Sequence, residues 1–245
     1  MEMIMHTKSK RYDILLWDID GTLMDFKKAE AMSLSQCLRE IHIEPEQDMI
    51  EDYSRINLSY WKRLEKGELT KPEVLLGRFT EFLGKYDIKT DVKEFLQHYE
   101  EGLGHFNFIQ DDSLKLCQCL KEHGFRQYIV TNGTVDVQRM KLRETGLGRI
   151  VDGVFISDEL GIPKPQKAFF EICFEEIFGE KEPDQNQRSR VLIIGDSLSS
   201  DIQGGINAGI DTCWYCNPGE DNLEAIPVTY EINNLHQILD VIYIS

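Results

Sequence analysis

The stretch Tyr12-Asp13-Ile14-Leu15-Leu16-Trp17-Asp18-Ile19-Asp20-Gly21-Thr22 decides how this chain is read. Its apolar part is short and stops at an acid, which predicts a buried strand running straight into a turn. Alone, the turn says little, because Asp and Gly favour turns of many kinds. It is not an EF-hand loop: Gly21 comes too early, and Leu23 and Met24 stand where oxygen ligands are needed. Its meaning depends on what the rest of the chain places beside it.

From Phe26 to His105 the chain is rich in helix formers at amphipathic spacing, with breaks at His42 to Pro45, Gly67 to Thr70 and Tyr86 to Thr90. This predicts a bundle of about four helices inserted after the first strand. From Ser113 the pattern alternates. Helices are predicted over Leu114 to His123, Val135 to Thr145, Gln166 to Phe178, Ser199 to Ala208 and Leu235 to Ile242. Strands are predicted over Gln127 to Thr131, Val154 to Ile156, Arg190 to Ile194 and Thr212 to Tyr215. Such alternation implies βαβ units and a parallel sheet with helices on both faces. Ligands of such sheets bind beyond the carboxyl ends of the strands.

Those ends carry the chemistry. Asp18 to Thr22 follows the first strand, Thr131-Asn132-Gly133 the next, and Gly195-Asp196 through Asp201 the Val191 to Ile194 run; Lys164-Pro165 precedes the Gln166 helix. Each piece alone is a plausible turn, but turn chemistry does not account for their order and placement. Asp18, Asp20 and Asp196 would converge at the sheet edge, where like charges need a cation. Oxygen-only ligands select a hard ion such as Mg²⁺. Thr131 offers a hydroxyl, Asn132 a backbone N–H and Lys164 a positive charge, the groups that would hold a phosphate. A carboxylate can itself attack phosphorus.

This set resembles the haloacid dehalogenase (HAD) superfamily over nearly the whole chain, from Tyr12 to about Tyr243. The resemblance implies an α/β fold: a Rossmann-like, doubly wound parallel sheet formed by residues 11–25 and 106–245. It implies an all-helical cap of the C1 type over residues 26–105, closing over substrate, and the segment 1–10 is expected to be a flexible tail. By the same resemblance Asp18 is the nucleophile, and Asp20 the acid that protonates the leaving oxygen and then the base that activates water. Mg²⁺ would be held by Asp18, the backbone carbonyl of Asp20, and Asp196. Thr131, Asn132 and Lys164 would hold the phosphoryl group, with Asp201 behind them orienting Lys164 or a metal-bound water. Dehalogenases of this superfamily lack the second acid, so Asp20 points to phosphate chemistry.

Ile56-Asn57, Tyr60-Trp61, Gly67, Gly77-Arg78-Phe79 and the Gly204 to Gly209 run followed by Thr212-Cys213-Trp214 resemble bacterial pyrimidine 5′-nucleotidases of the house-cleaning type. That implies hydrolysis of dUMP, dTMP or UMP. Trp61, Tyr60 and Phe79 could stack a base, and Asn57 or Arg78 could bond its edge; packing on apolar helix faces, or an Arg78 ion pair with a cap Glu, fits equally. Met24 and Phe26, just behind the catalytic loop, are further candidates for substrate contact. Alternatives are a phosphatase for another small ester such as a sugar phosphate, a β-phosphoglucomutase-like mutase, or a catalytically silent binding protein.

Composition bounds the remaining choices. A chain of 245 residues buries a core without disulfides or structural metal. A net charge of −16 repels nucleic acid and leaves a small phosphorylated substrate as the expected partner. No segment is apolar enough to suggest a membrane partner, and no export signal stands out, so a cytoplasmic monomer or homodimer is expected. Cys213 and Cys216 have a CxxC spacing, but the apolar run around them reads as a strand with packing cysteines. The six histidines are scattered, and none is assigned to catalysis.

Overall fold

The computed structural model describes residues 9–217, 219, 221–223 and 225–244. The chain divides into two compact units, one formed by the chain up to Asp25 together with Ile109 onward, the other by Phe26–Phe108. Among the described residues the first unit holds six strands: β1 (Ile14–Trp17), β2 (Arg126–Thr131), β3 (Gly153–Ile156), β4 (Val191–Gly195), β5 (Asp211–Tyr215) and β6 (Tyr230–Ile232). They form one parallel sheet in the order β3-β2-β1-β4-β5-β6. The order reverses at β1, which lies between β2 and β4, and such a switch point opens a crevice at the carboxyl ends. Trp17 lies opposite Ile129 on one side and Ile194 on the other, so the loops after β1, β2 and β4 leave the same edge.

The second unit consists of α1 (Phe26–Glu40), α2 (Gln47–Glu65), α3 (Lys71–Lys85) and α4 (Val92–His105). Its starts are set by local chemistry. Asp91 accepts from the backbone of Lys93 and Glu94, and Thr70 with Glu73 forms a capping box before α3. Tyr53 stacks on Phe79 at 5.2 Å, and both rings meet Tyr99 edge-on. Gly102 lets α4 approach α1, since a Cβ there would lie 3.0 Å from the Ser33 side chain.

The sheet is covered by α5 (Ser113–Glu122), α6 (Val135–Thr145), α7 (Ser157–Leu160), α8 (Lys167–Phe178), α9 (Gln185–Arg188), α10 (Gln203–Ala208) and α11 (Ile238–Val241). Strand side chains alternate between two cores. Leu15 and Trp17 join Ile129, Ile194 and Cys213 with Leu116 and Leu120 of α5 and Ile238 of α11. Ile14 and Leu16 join Val130 and Ile193 with Phe169, Phe170 and Phe174 of α8. Covered on both faces, β1 and β4 must be apolar throughout rather than alternating.

Several expectations are corrected. The closing helix from Leu235 to Ile242 is a 3₁₀ turn, Leu235–Gln237, followed by the short α11. The helix expected from Ser199 begins as a wide helical turn over Leu198–Ile202 and becomes α-helical at Gln203. β6, α7 and α9 lie where the sequence pattern predicts no regular element. The segment expected as a flexible tail lies outside the described residues as far as residue 8. Its last two residues are tied down: Ser9 accepts from the Ile244 backbone at 2.8 Å and Lys10 bridges to Tyr243.

Candidate active site

The centre of the site is a buried ion-pair relay. Asp18 leaves the end of β1 with its backbone N–H bonded to Ile194. Lys164 Nζ donates to Asp18 Oδ1 at 2.8 Å, to Asp201 Oδ1 at 2.6 Å and to the Val130 carbonyl at 2.7 Å. Lys164 and Asp201 are each only 1% exposed. Burial works to lower the Lys164 ammonium, but Asp18 and Asp201 outweigh it and hold it above its ordinary value. Burial also pushes the Asp18 carboxyl up, to about 7, with Lys164 working against the rise and Asp201 with it.

The neighbouring loops fix this relay. The Asn132 amide bonds the Lys164 backbone twice, accepting its N–H at 2.9 Å and donating to its carbonyl at 3.0 Å, and also donates to Ser200 Oγ. Asn132's side chain is therefore a brace for Lys164. Thr131 Oγ1 accepts from the Gly133 backbone at 3.2 Å. Asp201 Oδ2 accepts from the Ser197 backbone at 3.0 Å. Asp196 Oδ1 accepts from Thr22 Oγ1 at 3.1 Å, and the Asp196 carbonyl accepts from Trp214 Nε1. Gly21 is left-handed (φ +93°), and a Cβ there would lie 2.3 Å from Asp196 Oδ2.

Asp20 stands apart from the relay. Gln138 Nε2 donates to its Oδ2 at 2.6 Å, and Lys141 Nζ donates to its Oδ1. Its side chain is 21% exposed, against 9% for that of Asp18. Two carboxylates two positions apart on one loop thus sit in different surroundings.

Carboxylate oxygens of Asp18, Asp196 and Asp201 lie within 4.8 Å of one another. Together with the cradle kept open at Gly21, this all-oxygen set fits a hard divalent cation such as Mg²⁺.

The sequence profile of haloacid dehalogenase-like hydrolases matches residues 12–209. The chain belongs to this family. HAD-hydrolase YfnB of Bacillus subtilis is 36% identical over 236 residues, covering 96% of this chain and 97% of its own length. A crystal structure of YfnB bound to magnesium, which reveals interdomain movement in that protein, superposes with a TM-score of 0.86 over 96% of this chain and all of that one. Pyrimidine 5′-nucleotidase PynA of Streptococcus pneumoniae is 35% identical, covering 94% of each chain. Pyrimidine 5′-nucleotidase YjjG of Escherichia coli is 27% identical, covering 93% of this chain and 96% of its own. The chain is a HAD-family phosphatase.

In this HAD phosphatase the structure brings Asp18, Lys164 and Asp201 into direct contact, gathers Asp196 with Asp18 and Asp201, and gives Asp20 its own partners. The other candidates are placed differently. Met24 is buried in the first core and bridges to Asp20 and Ile109. Phe26 is half-buried at the start of α1. Asn57 and Arg78 are buried within the helical unit. Arg78 Nη1 donates to Asn57 Oδ1 at 2.6 Å, Asn57 Nδ2 to Glu30 at 2.7 Å, and the half-buried Trp61 Nε1 to Asn57 Oδ1 at 3.0 Å. Phe79 is enclosed by other aromatic rings. Cys213 is buried in β5 with its thiol pushed up to about 12 by burial, which suits packing rather than redox or metal work. Gln138 and Lys141 are functional candidates that sequence reasoning missed. Their signal was an i, i+3 spacing on the helix that follows Thr131-Asn132-Gly133.

Proposed function

We propose that this chain is a Mg²⁺-dependent phosphomonoester hydrolase that works through an aspartyl-phosphate on Asp18 and acts on pyrimidine nucleoside 5′-monophosphates such as dUMP, dTMP and UMP. The observation that carries the chemistry is the contrast between Asp18, buried against Lys164, and Asp20, more exposed and separately held. Similarity to PynA along almost its full length supports the substrate class.

Asp18 attacks phosphorus, and the ester P–O bond breaks as Asp20 gives its proton to the departing oxygen. Asp20 then takes a proton from water. That water attacks phosphorus, the bond to Asp18 breaks, and inorganic phosphate leaves. Lys164, the Thr131 hydroxyl and the Asn132 backbone N–H hold the phosphoryl oxygens. Asp18, Asp196 and the Asp20 carbonyl would hold Mg²⁺, which when bound supplies positive charge against the carboxylates and the phosphoryl group. Both oxygens of Asp201 already accept, from Lys164 and Ser197, so we assign it to hold Lys164. The helical unit takes the substrate-selecting part of a C1 cap, with Phe26, Asn57, Trp61 and Arg78 as candidate contributors; Met24, in the α/β unit, is a further candidate for substrate contact. Six free thiols suit a cytoplasmic enzyme.

The test is phosphate release from a panel of nucleoside and sugar monophosphates, with Mg²⁺ and then with EDTA. The expected result is metal-dependent release led by dUMP, dTMP or UMP. Release led by sugar phosphates would contradict the substrate reading while keeping the chemistry. Isomerised sugar phosphate with little free phosphate would replace hydrolysis by a mutase.

A further inference from the structure

Both oxygens of Asp20 are engaged by one face of α6. Gln138 Nε2 donates to Oδ2 at 2.6 Å and Lys141 Nζ to Oδ1. Each donor is 1% exposed, so neither belongs to a solvated surface. A buried ammonium and a buried amide are costly unless they are paired. The chain also makes room for this pairing: a Cβ at Gly133 would lie 2.0 Å from Gln138 Nε2. α6 follows the Thr131-Asn132-Gly133 loop at the end of β2, so the helix next to the proposed phosphate-binding loop carries the clamp on Asp20.

We infer that Gln138 and Lys141 are positioning residues for Asp20, fixing its carboxylate for both proton transfers. The inference rests on the acid/base reading of Asp20 and deepens it. A carboxylate gripped at both oxygens keeps one rotamer, whereas a released one would turn away from the leaving oxygen and from the attacking water. Misplacement by about 1 Å can cost about 10²-fold in rate.

p-Nitrophenyl phosphate separates the two steps. Its leaving group departs without a proton, so the first turnover depends on Asp18, whereas cleavage of the aspartyl-phosphate needs Asp20 to take a proton from water. Lys141→Met keeps bulk and removes the ammonium; Gln138→Ala is the second variant, with thermal unfolding as the control for folding. Stopped-flow traces of Lys141→Met are expected to show a burst of about one p-nitrophenol per site and then a kcat lowered about 10²-fold, with KM little changed. Gln138→Ala should follow the same pattern. A first turnover that slows as much as the steady state, or a kcat that does not fall in either variant, overturns the inference. Asp20→Asn, run alongside, separates the failures. An unimpaired Asp20→Asn contradicts the acid/base reading and the clamp with it. An impaired Asp20→Asn beside unimpaired clamp variants contradicts the clamp alone. The probe carries no base, so the outcome does not depend on which nucleotide is the substrate.

Discussion

A methyl group on Gly195 would lie 2.2 Å from Asp201 Oδ2 and 2.5 Å from its Cβ. No side-chain adjustment avoids both, so Asp201 would have to withdraw from Lys164 and the Ser197 backbone. Gly195→Ala is expected to lower stability by about 1–3 kcal/mol through overpacking. Phosphate release should fall about 10²-fold as Lys164 loses its second acid. Thermal unfolding together with steady-state assay checks both, and full activity would show that Asp201 need not touch Lys164. The residues most directly legible in the sequence are those at strand ends: Thr131 as the last residue of β2, and Asp18 and Asp196 just after β1 and β4. Lys164 and Asp201 were reached through their place in the motif order. Gln138 and Lys141 carry no such mark in the sequence, because a charged helix such as Val135–Thr145 ordinarily has a solvated polar face. Both are buried and both donate to Asp20.

The helices of the inserted unit are joined by a polar chain from Glu30 on α1 through Asn57 on α2 to Arg78 on α3. Burial pushes the Glu30 carboxyl up, and hydrogen bonds from Ser54 and Asn57 and the charge of Arg78 only partly oppose it. The folded state therefore binds the Glu30 proton more tightly than the unfolded chain does. Its contribution to stability is present below the ordinary carboxylate value and is lost as pH rises through the raised one. Glu30→Gln can still accept from Asn57 and removes the charge. Melting curves between about pH 4 and about pH 8 should show a weaker fall with pH for Glu30→Gln than for the parent. A steeper fall would mean that the anion is needed, as the partner of Arg78. The four helices and their breaks are legible because amphipathic spacing marks the helices and is interrupted at the breaks. β6 is not, because three residues carry too little period. Its placement comes from tertiary bonds, with Tyr230 Oη accepting from Tyr12 Oη at 3.1 Å. The four-residue helices α7 and α9 are too short for a periodic signal.

Across the whole molecule, the expectation of an α/β core with a helical insert rests on where strand patterns stop and resume in the sequence. The helical unit of the structure spans Phe26–Phe108. At its end Phe106 and Phe108 stack nearly parallel, and Lys28 of α1 sits 4.1 Å over the Phe108 ring. A chain with net charge −16 nonetheless places two buried ammonium groups, Lys141 and Lys164, against Asp20, Asp18 and Asp201, and gathers Asp196 close to that cluster. The two ammonium groups offset only part of the charge of Asp18, Asp20, Asp196 and Asp201, and the net negative cluster that remains suits a divalent cation.

The proposed reaction turns on phosphorylation of Asp18. The most direct measurement compares parent and Asp18→Asn in Mg²⁺-dependent phosphate release from dUMP, with thermal unfolding of both. The variant is expected to unfold cooperatively, as a folded protein, and to release no phosphate above background. Sustained release by a purified, folded Asp18→Asn protein would contradict it.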